Sequence, residues 1–263
     1  MIAVVGNLSY DRVEGTAPRA GGGPLYGARA LRELGAPGLV VARCAPADRP
    51  TLLPPLTAVG LPVTWRPAAT TPAFSFAYDG ETRRMTVDAV ADPWPPQRLP
   101  AEVGWAHVAA LARTDFPAAC LAGLAEGRRL SLDGQGLVRP GRTGPLVLDA
   151  DYDPELLRCV TVLKLAETEA AVLAGGADPD GLRALGVPEV VVTLGSRGCL
   201  VVAGGESVHV PAPPVSGVTD PTGAGDSFAA AYVCARDAGA EPAAAARAAA
   251  ETVAALLSGR RSR

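Results

Sequence analysis

Asp220-Pro221-Thr222-Gly223-Ala224-Gly225-Asp226-Ser227-Phe228 opens a long apolar helical run. Residues 223 to 225 carry little or no side-chain bulk, so successive backbone N–H groups can turn toward one point. The positive end of the following helix adds to their field there. A phosphate group fits such a nest. Asp226 stands in the first turn of the same helix, so a hydroxyl held between it and that phosphate could lose its proton to the carboxylate while attacking phosphorus. The chemistry implied is phosphoryl transfer to an alcohol. Taken alone, the four residues Gly223 to Asp226 read equally as a Gly-rich turn with an acidic helix start.

Outward from this stretch, apolar β-branched runs recur with helix-like segments between them. The strand candidates are Ile2 to Val5, Gly38 to Cys44, Trp105 to Ala109, Arg129 to Asp133, Val160 to Leu165 and Val190 to Leu194. Helix candidates are Leu25 to Leu34, Pro117 to Glu126, Glu167 to Ala174, Ala224 to Asp237 and Pro242 to Leu257, the last with proline in its first turn. That alternation predicts an α/β fold with a mainly parallel sheet and helices on both faces. Thr71 to Val87 breaks the rhythm: Phe74, Phe76 and Tyr78 alternate ahead of Asp79-Gly80, which reads as a hairpin. Its aromatic face must cover something, so it serves as an edge decoration or as a lid over about 71–90. Prolines 93, 95, 96 and 100 mark an irregular connector back to the sheet.

Composition narrows the classes. With 263 residues, 48% of them hydrophobic, the chain is expected to form a single domain over 1–263. A formal charge of −3 with scattered arginines gives no footprint for nucleic acid. The five cysteines are odd in number and lack metal or disulfide spacing. No leader-like start and no apolar run of membrane-spanning length stand out, so no membrane partner and a cytoplasmic location are expected. Lys164 is the only lysine, and neither a Walker A loop nor a protein-kinase motif set is present. His107 and His209 lie in strands without a second ligand at useful spacing and read as structural. Ser227 lacks a nucleophile elbow, which leaves hydrolase chemistry without support.

Four landmarks in order resemble the ribokinase-like (PfkB) carbohydrate kinase family, over most of the chain. Val5-Gly6-Asn7 through Asp11 is similar to the family's opening strand and substrate-binding aspartate, and Gly21-Gly22-Gly23 to its diglycine acceptor loop. Val192-Thr193-Leu194-Gly195-Ser196-Arg197-Gly198 resembles its nucleotide-binding strand and turn, and residues 220 to 228 its C-terminal signature. The resemblance implies a three-layer ribokinase-like fold with a small β lid and ATP-dependent phosphorylation of a hydroxyl on a sugar or cyclitol. In that reading Asp226 is the general base, and Gly223, Ala224 and Gly225 form the anion hole. Thr193, Gly195, Ser196 and Gly198 meet ATP. Asp11, Gly22, Gly23, Tyr26, Gln135 and Arg139 face the acceptor. Leu163 to Glu169 resembles the family's Asn-x-x-Glu segment, which implies Mg2+ organised by Glu169 through water, but Ala166 stands where the asparagine belongs. Asp220 and Thr222 fall on a stretch that in related kinases helps bind a monovalent cation such as K+.

Each position also has a plain reading: a solvated loop aspartate at 11, flexible glycines at 21 to 23, a hairpin turn into Cys199, loop structure at 135 to 139, a first-turn acid at 169. Tyr26 near the usual asparagine of the acceptor loop sets the pocket apart from a ribose site. It points, with Leu132 to Arg139, to the branch with inositol kinases and archaeal nucleoside kinases. A nucleoside kinase and a catalytically silent sugar- or nucleotide-binding regulator are the alternatives, and paired lids offer a route to a homodimer.

Overall fold

The computed structural model describes residues 1–79, 82–215 and 220–259, with the backbone alone at 78, 79, 82 and 83. The apolar runs form one nine-stranded sheet in the order Glu206–Val210, Cys199–Ala203, Glu189–Thr193, Val162–Ala166, Arg129–Asp133, Trp105–Ala109, Ile2–Asn7, Gly38–Cys44 and Val63–Pro67. All neighbours run parallel except the pairs made by Cys199–Ala203, which is antiparallel to the strands on both its sides. Ile2–Asn7 shows why the runs are unbroken rather than alternating. Ile2 and Val4 pack with Leu31, Phe228 and Tyr232 on one face, while Ala3 and Val5 pack with Trp94, Leu121 and Leu124 on the other. Both faces are dry, so every position of the strand is buried.

Helices Gly23–Glu33, Ala224–Asp237 and Pro242–Leu257 cover the first face, and Ala118–Ala125 and Glu167–Ala174 the second, each within two residues of its expected ends. The expected hairpin belongs to something larger. Ala73–Asp79 and Thr82–Ala89 pair antiparallel, but Ser9–Val13, Arg19–Gly21 and Gly144–Pro145 join them in a five-stranded second sheet. Ser9–Val13 and Arg19–Gly21 are short, polar and split by Gly15 and Pro18, so no apolar period announces them. Residue 80 of the expected Asp79-Gly80 turn, and the side chain of Tyr78, lie outside the described residues. Phe74, Phe76, Val87 and Leu111 form the apolar centre of this sheet. Only Leu8, fully buried, separates the strand Ile2–Asn7 of the main sheet from Ser9–Val13 of the second.

The proline connector is irregular, as its composition demands, but firmly seated. Trp94 is buried, stacks on Phe116 with ring centroids 5.1 Å apart, and donates its indole N–H to Asn7 Oδ1 at 3.0 Å. A helix at Arg49–Thr57 contains Pro54 and Pro55. Each of these interior prolines forgoes an i→i−4 bond, and Leu52 and Leu56 hold the helix through complete burial.

Candidate active site

Two clefts open at the carboxyl ends of the parallel strands, the place where open α/β sheets take ligands. The first, of about 250 Å³, lies between the main sheet and the second sheet. The second, of about 630 Å³, runs from the turn after Glu189–Thr193 to the two C-terminal helices. Pro221 and Gly225 line both. The clefts therefore meet at the mouth of the helix Ala224–Asp237.

That mouth is shaped by its glycines. Gly223 caps the helix with φ 78, a left-handed conformation. Ala224 N–H donates to Pro221 O at 3.0 Å and Ser227 N–H to Gly223 O at 2.9 Å, so the Ala224 amide is already engaged within the turn. Asp226 follows in the first turn and lines the first cleft. Burial first, and then the Asp133 carboxyl, push its pKa up to about 7, while Lys164 and Arg139 pull the other way. Such a carboxyl exchanges its proton near neutrality, as a general base must. Across the cleft, a methyl added to Gly23 would collide with Ala109 and stand 2.9 Å from Asp226 Oδ1. Glycine at 23 makes the room in which the carboxyl sits.

The residues expected on the acceptor side converge. Asp11, Gly22, Gly23, Tyr26, Gln135 and Arg139 all line the first cleft, with Phe74, Phe76 and Met85 above them from the second sheet. Asp11 is buried on the strand Ser9–Val13 and accepts a hydrogen bond from Ser9 Oγ at 2.9 Å. Tyr26 lies against Gly223, and burial pushes its phenol up to about 12, so it stays a hydrogen-bond donor. Arg139 stacks over Phe74 at 6.0 Å, so its charge sits between the two sheets. Thr193, Gly195, Ser196 and Gly198 line the second cleft beside Val215, Phe228 and Leu257. The turn they form also leads into Cys199–Ala203, as the hairpin reading expected, while opening onto the second cleft.

With this geometry in place, the comparisons with known proteins fall into line. Residues 139–262 match the sequence family described as pfkB family carbohydrate kinase. The structure superposes on a pyrophosphate-dependent kinase of the ribokinase family, complexed with a pyrophosphate analog and myo-inositol, with a TM-score of 0.85. That likeness covers 98% of this chain and 95% of the other at 24% identity. Ribokinase from Arabidopsis thaliana complexed with ribose and ATP gives 0.72 over 97% and 92% of the two chains at 20% identity. A nucleoside kinase from Burkholderia thailandensis in complex with inosine gives 0.73 over 98% and 91% at 19% identity. The fold is ribokinase-like, and residues 139–262 are similar to the pfkB family. Ribokinase from Mus musculus is 39% identical over 90 residues, a match spanning 30% of this chain and 28% of the mouse protein.

Within that ribokinase-like frame, the side chains expected at two ion sites already have protein partners. Glu169 is buried, and Glu169 Oε2 accepts the Ala166 N–H at 2.8 Å, which caps its own helix. Burial raises its pKa, and Lys164 opposes the rise. Among the described residues no group of three or more His, Cys, Asp or Glu side chains is placed to hold a metal ion. With Ala166 contributing no donor, a magnesium ion ligated directly by protein does not fit these residues. Asp220 and Thr222 are also engaged: the Arg19 guanidinium ion-pairs with Asp220 and donates to Thr222 Oγ1 at 2.9 Å. Although desolvation works against it, bonding from Thr222 and Arg19 holds the Asp220 carboxyl down at about 2. A protein cation thus sits on the two side chains expected to take K+. Arg19 reaches there from the second sheet, a partnership across 201 residues that no local pattern displays.

His107 is buried and shares a hydrogen bond with Ser131 Oγ at 3.2 Å; burial pulls it down to about 4, so it stays neutral within the sheet. Lys164 is the residue whose placement the sequence does not disclose. It lines the first cleft from the strand Val162–Ala166. No helix among the described residues is long and apolar enough to cross a membrane.

Proposed function

We propose that this protein transfers a phosphoryl group from ATP to a hydroxyl of a small polyol, a sugar or cyclitol, held in the first cleft. The meeting of two clefts at Gly225, with Asp226 one residue further on, is the observation that carries the reading. Asp226 takes the hydroxyl proton as the acceptor oxygen bonds to phosphorus. The bond from phosphorus to the donor's bridging oxygen breaks, and that oxygen leaves with the electron pair. The opening amides of the helix, at Gly223, Gly225 and Asp226, face the charge on the transferred group, with Ala224 holding the turn. Asp11 accepts acceptor hydroxyls, Gln135 and Arg139 close the far side, and Gly22 and Gly23 let the acceptor approach backbone. Phe74 and Phe76 make the second sheet a cover that excludes water.

The second cleft supports ATP as the donor. Its volume falls within the range of roughly 300 to 1,000 Å³ typical of small-molecule sites, and Val215, Phe228 and Leu257 offer apolar surface suited to a base. Magnesium would come with the donor's phosphates, and Glu169 would reach it only through water. A second reading has its own support: the pyrophosphate-dependent kinase superposes at 0.85 against 0.72 for the ATP-bound ribokinase. In that case the second cleft would hold only the inorganic donor.

The test is a transfer assay crossing two donors, ATP and pyrophosphate, with three acceptors, myo-inositol, ribose and inosine, with and without magnesium and potassium. ATP-dependent product with a polyol supports the main reading, and transfer from pyrophosphate alone replaces ATP with the second. Ligand-induced stabilisation without any product would make the chain a binding protein of this fold.

A further inference from the structure

The only lysine of the chain sits where a buried strand calls for an apolar residue. Lys164 lies in the middle of Val162–Ala166 and is 4% exposed. In the parallel register it stands beside Asp133 of the neighbouring strand, and its ammonium donates to Asp133 Oδ2 at 3.2 Å. That bond occupies one of three N–H donors. The tip of the side chain reaches the helix mouth: a methyl added to Gly225 would stand 2.8 Å from Lys164 Nζ. Lys164 lines the first cleft together with Gly225 and Asp226, whereas Asp133 is wholly buried behind it.

Burying an ammonium is costly, and an ion pair serving stability alone is readily replaced by apolar residues. Here the cost coincides with a defined electrostatic need. Desolvation pulls the Lys164 pKa down, but Asp133, Glu169 and Asp226 together hold it above the ordinary value, so the charge persists at neutral pH. Three carboxyl groups surround that one cation at the floor of the cleft. A phosphate arriving at the helix mouth would otherwise meet them directly.

Resting on the phosphoryl-transfer reading above, we infer that the Lys164 ammonium is a direct ligand of the transferred phosphoryl group, a fixed cation between the helix amides and Asp226. It stands two residues before Ala166, on the segment where the resemblance expected an asparagine to organise magnesium. It takes no proton and gives none. As the acceptor oxygen bonds to phosphorus and the donor oxygen leaves with its electron pair, Lys164 meets the charge on the equatorial oxygens. The acceptor's proton goes to Asp226.

Three variants test this: Lys164→Met, Lys164→Arg, and Lys164→Met combined with Asp133→Asn, which removes the buried pair together and leaves no orphaned carboxylate. Loss of an oxyanion-type donor lowers turnover by about 10²–10³-fold. A loss of that size is expected in Lys164→Met and in the double variant, with acceptor KM changed less than about threefold and partial recovery in Lys164→Arg. Calorimetry with inorganic pyrophosphate should show affinity about tenfold weaker or worse in both methionine variants. A double variant that regains turnover to within about threefold of the parent, or binds pyrophosphate as the parent does, would reduce Lys164 to a structural partner of Asp133 and overturn the inference. If the parent protein transfers phosphate to no acceptor, the kinase reading falls by itself. The pyrophosphate affinities then decide alone whether Lys164 is a phosphate ligand.

Discussion

Asp226 carries the sharpest consequences of any single residue. With its proton exchanging near pH 7, kcat/KM should rise as pH increases through that region, giving an acid limb that Asp226→Asn abolishes along with activity. Loss of a general base costs about 10²–10⁴-fold in turnover, while donor binding, measured calorimetrically, should remain. Stability responds in the opposite sense. The folded carboxyl takes its proton at about 7 rather than near the unfolded value of about 4, so the fold binds more protons in between and loses stability as pH rises across that window. Melting temperatures of the parent and Asp226→Asn should therefore agree near pH 4 and diverge toward pH 8 with the variant higher. Gly23→Ala should be as damaging to catalysis for a steric reason: its methyl meets Ala109 and presses on Asp226 Oδ1. A displacement of this kind costs about 10²-fold, readable as a fall in kcat at unchanged donor affinity. The turn at Gly223 to Asp226 is legible from sequence because its geometry is local. Lys164 is not, because its meaning depends on which strand lies beside it, and Asp133 is set next to it only by register across 31 residues.

Among the elements, the strand Arg19–Gly21 links the second sheet to the turn before the helix Ala224–Asp237 through Arg19, Asp220 and Thr222. Both ion-pair partners are substantially exposed, at 41% and 51%, so the pair should add at most about 1 kcal/mol to stability. Arg19→Ala is therefore expected to melt within a few degrees of the parent while raising acceptor KM several-fold, because the contact holds the sheet over the cleft. An unchanged KM would remove Arg19 from any part in closure. The same variant frees Asp220 and Thr222, and a new response of its activity to K+ would show that the guanidinium had taken the cation's place. Strands buried on both faces and Ala-rich or Pro-started helices were readable because burial dictates an unmistakable composition. Ser9–Val13 and Arg19–Gly21 were hidden, since they are short, polar strands of a sheet with one face over a cleft. Arg49–Thr57 was hidden by prolines that normally mark a break, although two buried leucines suffice to hold it.

At the scale of the whole molecule, the sheet order explains why the site lies where it does. The chain builds Ile2–Asn7, Gly38–Cys44 and Val63–Pro67 to one side, then returns to lay Trp105–Ala109 on the other side of the first strand. The crevice at that reversal receives the start of the Gly23–Glu33 helix and the mouth of Ala224–Asp237, so Gly23 and Asp226, far apart in sequence, meet there. Ligands bridging both clefts should tie the two sheets together: a nucleotide analogue at 100 times its Kd contributes about 2.7 kcal/mol. A rise of several degrees in Tm with the analogue, and a further rise with a polyol, is the expected result. An analogue that leaves Tm unchanged would argue against a nucleotide in the second cleft. One more consequence comes from Leu8, the single residue between the strand Ile2–Asn7 of one sheet and Ser9–Val13 of the other. A canopy rocking about that pivot would carry Asp11 with it while Asp226 stayed with the frame. If Asp11 holds an acceptor as proposed, each outward swing would loosen that grip, and product departure would follow from where the two sheets are joined.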